Sequence, residues 1–183
     1  MRLYRQTVED FGLYTGKELS DEEMDDLRRA AGQMSAKMRA VRIVSASSVS
    51  KKDLQQRLVQ KGEDPLQARE AVRWMSDLNL LDDARVAEQV VARCISKGYG
   101  LARAKQALYE KKVPKEYWDE ALEDYPDQLE KIEDYLSGHL DANSDAKETK
   151  KAIDALLRRG HNYGTIRRAL NGLRFEAEDF PEE

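Results

Sequence analysis

The chain has 183 residues, a net charge of −4, 36% charged and 7% aromatic residues, and only 4 prolines. This balance favours helices with wide solvated faces over one deep globular core. No apolar run reaches the roughly 18–20 residues of a membrane span, and Met1–Glu9 lacks the apolar stretch of a secretory leader, so a cytoplasmic chain is expected.

Tyr4–Val8 reads as a short strand or helix, broken by Gly12 and Gly16. Ser20 and Glu23 form a capping box, which predicts a helix from Asp21 to Ala31. A second helix is expected over Ala36–Ala46. Ser50 caps a third, Lys51–Lys61, which Gly62 closes. Asp64-Pro65 opens the next, ending near Leu78 and Asn79, because proline is well placed at the first helical position. Then comes a central helix, capped by Asp82 or Asp83 and stopped at Gly98. Its stripe of Val86, Val90, Val91, Cys94 and Ile95 is apolar. Helices are also expected over Leu101–Lys112, Pro114–Asp124, Pro126–Leu140, Lys147–Arg159 and Gly164–Leu173. Phe175–Glu183 is an acidic, frayed tail in which Phe175 and Phe180 could dock.

Three of these helix pairs are copies of one another. Gly62, Lys112 and Gly160 align. Four positions earlier stand Leu58, Leu108 and Leu156, and one earlier Lys61, Lys111 and Arg159. Six later come Ala68, Trp118 and Ile166, and nine later Ala71, Ala121 and Ala169. A period of this size belongs to helical arrays, and the small residue suits a close helix crossing. The expected fold is therefore all-α: an elongated, curved tandem array of three-helix repeats. Its segments are 1–35, repeats 36–82, 83–125 and 126–174, and a tail 175–183. Trp118 should be buried in the middle repeat.

Charge is blocky along this array. Residues 36–113 hold 16 basic and 9 acidic groups, and 114–146 hold 2 and 11. Residues 147–174 return to 8 basic and 2 acidic. Such a chain can show opposite faces to different partners.

No catalytic grouping stands out. His139 and His161 lack ligand companions at helical spacing, and His161, after a glycine, reads as a surface or cap residue. Cys94, the only cysteine, reads as a buried thiol. No enzyme activity, metal or cofactor is expected. The basic positions say more. Arg93, Lys97, Arg103 and Lys105 surround the central turn with Tyr99 among them, and Arg158, Arg159, Arg167 and Arg168 form a second patch. Arg85 shares a face with Arg93. Lys61, Lys111 and Arg159 recur at one repeat position, where the helix dipole alone could account for them. A basic stripe with an aromatic suits single-stranded nucleic acid or an acidic protein groove.

The stretch Leu81-Asp82-Asp83-Ala84-Arg85, Ala87, Arg93, Lys97-Gly98-Tyr99-Gly100, Arg103 and Leu108 resembles the signature of the RecX family, bacterial regulators of the RecA recombinase. Weaker likeness runs from Ala36 to Leu173. Lys111-Lys112-Val113 stands where that family usually has Lys-Gly-Ile. The resemblance implies an all-helical, cofactor-free monomer that lies in the groove of the RecA–DNA filament. It would reduce ATP hydrolysis, strand exchange and coprotease activity in DNA repair and the SOS response. The filament-contacting and DNA-contacting positions would be the twelve named basic and aromatic residues: Lys61, Arg85, Arg93, Lys97, Tyr99, Arg103, Lys105, Lys111, Arg158, Arg159, Arg167 and Arg168. The alternative is a stand-alone nucleic-acid-binding helical module, with three-helix units like helix-turn-helix domains.

Overall fold

The computed structural model describes residues 3–141 and 143–178, with the backbone alone for 174–178. The docking expected of Phe175 and Phe180 lies outside the described side chains. Regular structure among the described residues is helical: α1 Arg5–Asp10, α2 Asp21–Ala46, α3 Lys51–Gln60, α4 Pro65–Asp77 and α5 Asp83–Ser96. There follow α6 Leu101–Glu110, a 3-10 turn Lys115–Tyr117, α7 Trp118–Leu122, α8 Leu129–Ser137, α9 Ala146–Arg158 and α10 Tyr163–Glu178. No described helix is long and apolar enough to cross a membrane. The residues pack as two compact units. Among the described residues, one is 3–86 with the turn Lys111–Val113; the other is 87–110 with 114–141 and 143–178.

The aligned turns share one backbone. Gly62, Lys112 and Gly160 all take positive φ, at +90°, +54° and +86°. Leu58, Leu108 and Leu156 are all buried just before them. Lys112 thus adopts a conformation natural to glycine, at a cost of about 1–2 kcal/mol. An ion pair offsets part of this: Lys112 Nζ lies 2.9 Å from Oδ1 of buried Asp53.

In the first unit, α2, α3 and α4 enclose Ala36, Ala40, Leu54, Leu58, Ala68, Ala71 and Met75. The Ser20–Glu23 capping box is formed as read. The break expected between Ala31 and Ala36 is absent, and α2 runs unbroken for 26 residues. Gly32 explains the difference. A Cβ there would lie 2.3 Å from Gln67 Oε1, so the glycine lets the Gln67 side chain from α4 come close rather than ending the helix. α2 also receives the first repeat turn. Arg39 donates to the Lys61 carbonyl at 2.9 Å and pairs with Glu63 at 2.7 Å.

In the second unit, α8, α9 and α10 enclose Ile132, Leu136, Ala152, Leu156, Ile166 and Ala169. The middle repeat departs from its copies. α4 starts from the Asp64 cap, whereas neither the 3-10 turn nor α7 has a side-chain cap, and α7 is only 5 residues long. Trp118 therefore opens a short helix and is half-buried, not enclosed as expected. Its truncation should cost less than the roughly 3–5 kcal/mol of a core tryptophan, a difference a urea melt of Trp118→Ala would register.

Candidate nucleic-acid interface

The site is built on a close backbone junction in the second unit. Gly98, at φ +66°, closes α5 and turns the chain toward α6. The turn after α9 then packs on the start of α6. Gly100 N–H donates to the Arg159 carbonyl at 2.9 Å, and Ala102 N–H to the Gly160 carbonyl at 3.2 Å. A Cβ on Gly100 would lie 2.1 Å from the Gly160 carbonyl oxygen, and one on Gly160 would lie 2.3 Å from Arg103 N. Only glycine fits at either place.

Two side chains tie the junction down, half-buried Tyr125 and buried His161. Tyr125 donates its hydroxyl to the Tyr99 carbonyl at 2.7 Å. Burial pushes that phenol up to about 12, so it stays a donor. His161 is 6% exposed, which corrects the surface position expected of it. Its Nε2–H donates to the Gly98 carbonyl at 3.0 Å, while Nδ1 is buried with no partner. That packing cannot be seen from a histidine following a glycine.

Burial holds the His161 imidazole below its ordinary value. The Gly98 carbonyl opposes the shift and the Arg159 charge adds to it. Above pH of about 6.5 the ring is neutral both folded and unfolded. As pH falls through that value the unfolded chain takes up the proton first, so stability falls with acidification. His161→Gln keeps a donor and removes the titration. Urea melts below pH of about 6.5 should show a flatter pH dependence for this variant than for the natural chain.

This junction sets Lys97 and Tyr99, from the turn after α5, beside Arg103 of α6 and Arg158 and Arg159 at the end of α9. With Tyr135 and Ala155 they line a groove of about 580 Å³. Arg103 forks onto Glu110, at 3.0 and 3.4 Å. Lys97, Arg158 and Arg159 have no ion-pair partner among the described residues. Arg159 places its guanidinium 4.5 Å from the centre of the Tyr135 ring, and Lys97 Nζ lies 6.0 Å from that of Tyr99. Cys94 lies beneath, free and buried. Burial raises its thiol pKa although Arg103, Lys97 and Arg93 pull the other way, so it stays neutral and inert.

Five of the twelve candidate positions therefore meet in one groove: Lys97, Tyr99, Arg103, Arg158 and Arg159. Arg93, Lys105, Arg167 and Arg168 lie in the same unit outside its lining, and Arg168 is paired with Asp127. Lys61, Arg85 and Lys111 belong to the other unit. Among the described residues no cluster of His, Cys, Asp or Glu could hold a metal ion.

Two features go beyond the positions named from the sequence. Tyr135, the groove wall, sits in the acidic block 114–146, where nothing identifies it as a partner of basic residues. Val59, Tyr109 and Leu157 are exposed large apolar residues, and each lies three positions before an aligned turn. Extending the repeat alignment to that column would find them. Scattered exposed apolar residues are ordinary, but recurrence at one repeat position suits contact with a protein surface.

Comparison with known proteins supplies a family. Residues 82–122 match the model described as "RecX, second three-helix domain". The chain is 30% identical to Regulatory protein RecX of Vibrio campbellii, covering 81% of this chain and 96% of that one. It is 29% identical to its counterpart in Vibrio parahaemolyticus, over 83% of this chain and 98% of that protein. A crystal structure of regulatory protein RecX shares the fold with a TM-score of 0.71 at 17% identity, covering 92% of this chain and 86% of the other. The RecX structure from Lactobacillus salivarius gives 0.67 at 22% identity, covering 80% and 99%.

Proposed function

Because this chain belongs to the RecX family of regulatory proteins, we propose that it is a regulator of the RecA recombinase, negative in direction. It acts by lying in the groove of the RecA–DNA filament, and so lowers ATP hydrolysis, strand exchange and coprotease activity. It works without a cofactor and catalyses nothing itself. It acts in the cytoplasm as a monomer, through repeats 36–82, 83–125 and 126–174.

The observation that carries this reading is the groove. The Lys97–Gly100 turn at the centre of the family signature meets Arg158 and Arg159 there, with three cations unpaired among the described residues. A filament offers both phosphate and protein. The cations suit the phosphate, and exposed Val59, Tyr109 and Leu157 suit the protein.

A stand-alone nucleic-acid module would need only the cations. The two readings part in one competition experiment. Labelled chain is mixed with RecA filaments and with bare single strands of equal length and sequence. The filament should be preferred by at least about tenfold, or 1.4 kcal/mol. Preference for the bare strand would favour the module.

A further inference from the structure

The two tyrosines of the groove are already engaged. Tyr135 stacks against His139, with ring centres 4.0 Å apart and planes 22° from parallel. The Arg159 guanidinium carbon lies 4.5 Å from the same ring centre. His139 is itself held, since its Nδ1 lies 2.7 Å from the Tyr135 carbonyl. A nucleobase could stack on Tyr135 only by displacing one of these groups. Tyr99 has the Lys97 ammonium over its ring, and its carbonyl is tied to Tyr125. Arg103 is committed to Glu110. What remains available is a set of cation heads: Lys97, Arg158 and Arg159.

We infer that the groove binds the phosphodiester backbone of a nucleic-acid strand and does not read or stack its bases. Tyr99 and Tyr135 are positioning residues that brace Lys97 and Arg159. This deepens the proposed function and rests on its premise that the chain meets DNA. A guanidinium lying against an aromatic ring keeps its N–H edge outward, the edge that forks onto phosphate oxygens. A ring–cation contact also limits the freedom of a long exposed side chain, so less entropy is given up when the phosphate arrives. An aromatic among cations is usually a platform for bases, the opposite role for Tyr99. The occupied rings argue against that role. An acidic protein segment could also offer anions. The groove, however, gathers Lys97, Arg158 and Arg159 with no carboxylate in its lining, which suits the regular charge of a phosphate chain.

The test compares two strands of equal length on the full-length chain by fluorescence anisotropy. One is oligothymidylate; the other is an abasic strand with the same phosphates. Affinities within about threefold and equal salt slopes are expected, whereas a stacked base adds roughly five- to hundredfold. Arg159→Gln, at an exposed position, should weaken both strands alike. Tyr135→Leu should do the same and Tyr135→Phe should not, with thermal melts checking the fold. Oligothymidylate binding ten times or more tighter than the abasic strand would overturn the inference. So would an abasic affinity unmoved by Arg159→Gln. If the abasic strand binds as expected but RecA is unaffected, the functional reading fails and this inference stands. If RecA is inhibited while only a glutamate-rich peptide binds the groove, the inference fails and the functional reading stands.

Discussion

Gly160→Ala should destabilise the second unit by about 2–5 kcal/mol, and Gly62→Ala should cost the first unit only about 1–2 kcal/mol. The two glycines occupy the same repeat position and nearly the same backbone, φ +86° and +90°. Both would strain an alanine in the left-handed region. The surroundings differ. A Cβ on Gly62 meets nothing within 4 Å, whereas one on Gly160 falls 2.3 Å from Arg103 N and 2.9 Å from its Cα. Backbone cannot rotate out of the way, so the junction must open, and the Ala102–Gly160 and Gly100–Arg159 hydrogen bonds weaken with it. The pair of variants isolates close approach from conformational strain. Urea melts giving equal costs would mean that the α6 start and the α9 turn do not meet as described.

The same junction controls the groove. Lys97 and Tyr99 precede Gly100, and Arg158 and Arg159 precede Gly160, so the backbone contact between the glycines fixes how far apart the cations stand. Double charge reversal, Arg158→Glu with Arg159→Glu, should weaken filament binding by at least about a hundredfold. Removing a charged side chain from a central interface position costs about 1.5–2 kcal/mol or more, and tenfold is about 1.4. The salt slope on single strands should fall too, by about 0.7 log units per decade for each phosphate no longer neutralised. Two acids at the end of α9 oppose the helix dipole, by about 0.3–1 kcal/mol each, so a melt must accompany the binding curve. Lys147→Glu with Lys150→Glu is the control. Both lysines are exposed on α9 outside the groove lining. Equal weakening by the two double variants would make the chain a general polycation binder with no docking groove.

Much of the fold is legible in local signals. The capping box at Ser20–Glu23, the Asp64-Pro65 opening and the Gly98 stop are each decided within one turn of backbone. The repeat is legible because a positive-φ turn after a buried leucine constrains its residues wherever it recurs. The break expected after Ala31 misleads because the role of Gly32, accepting a close neighbour within a continuous helix, shows only once Gln67 is placed beside it. His161 misleads for the same reason: its burial depends on Gly98, 63 residues away. Of the site, the cations near the family signature are legible. The role of Tyr135 is not, nor the commitment of Arg103 to Glu110 and of Arg168 to Asp127. These are partnerships between distant segments or helix turns that spacing alone does not select.

The most direct measurement is the ATPase rate of RecA on single-stranded DNA as this chain is titrated in at fixed salt. For a regulator seated in the filament groove, hydrolysis falls with added chain and saturates at a defined ratio of chain to filament subunits. Hydrolysis unchanged, or lowered only in step with RecA's loss of DNA to a competing binder, would contradict that role.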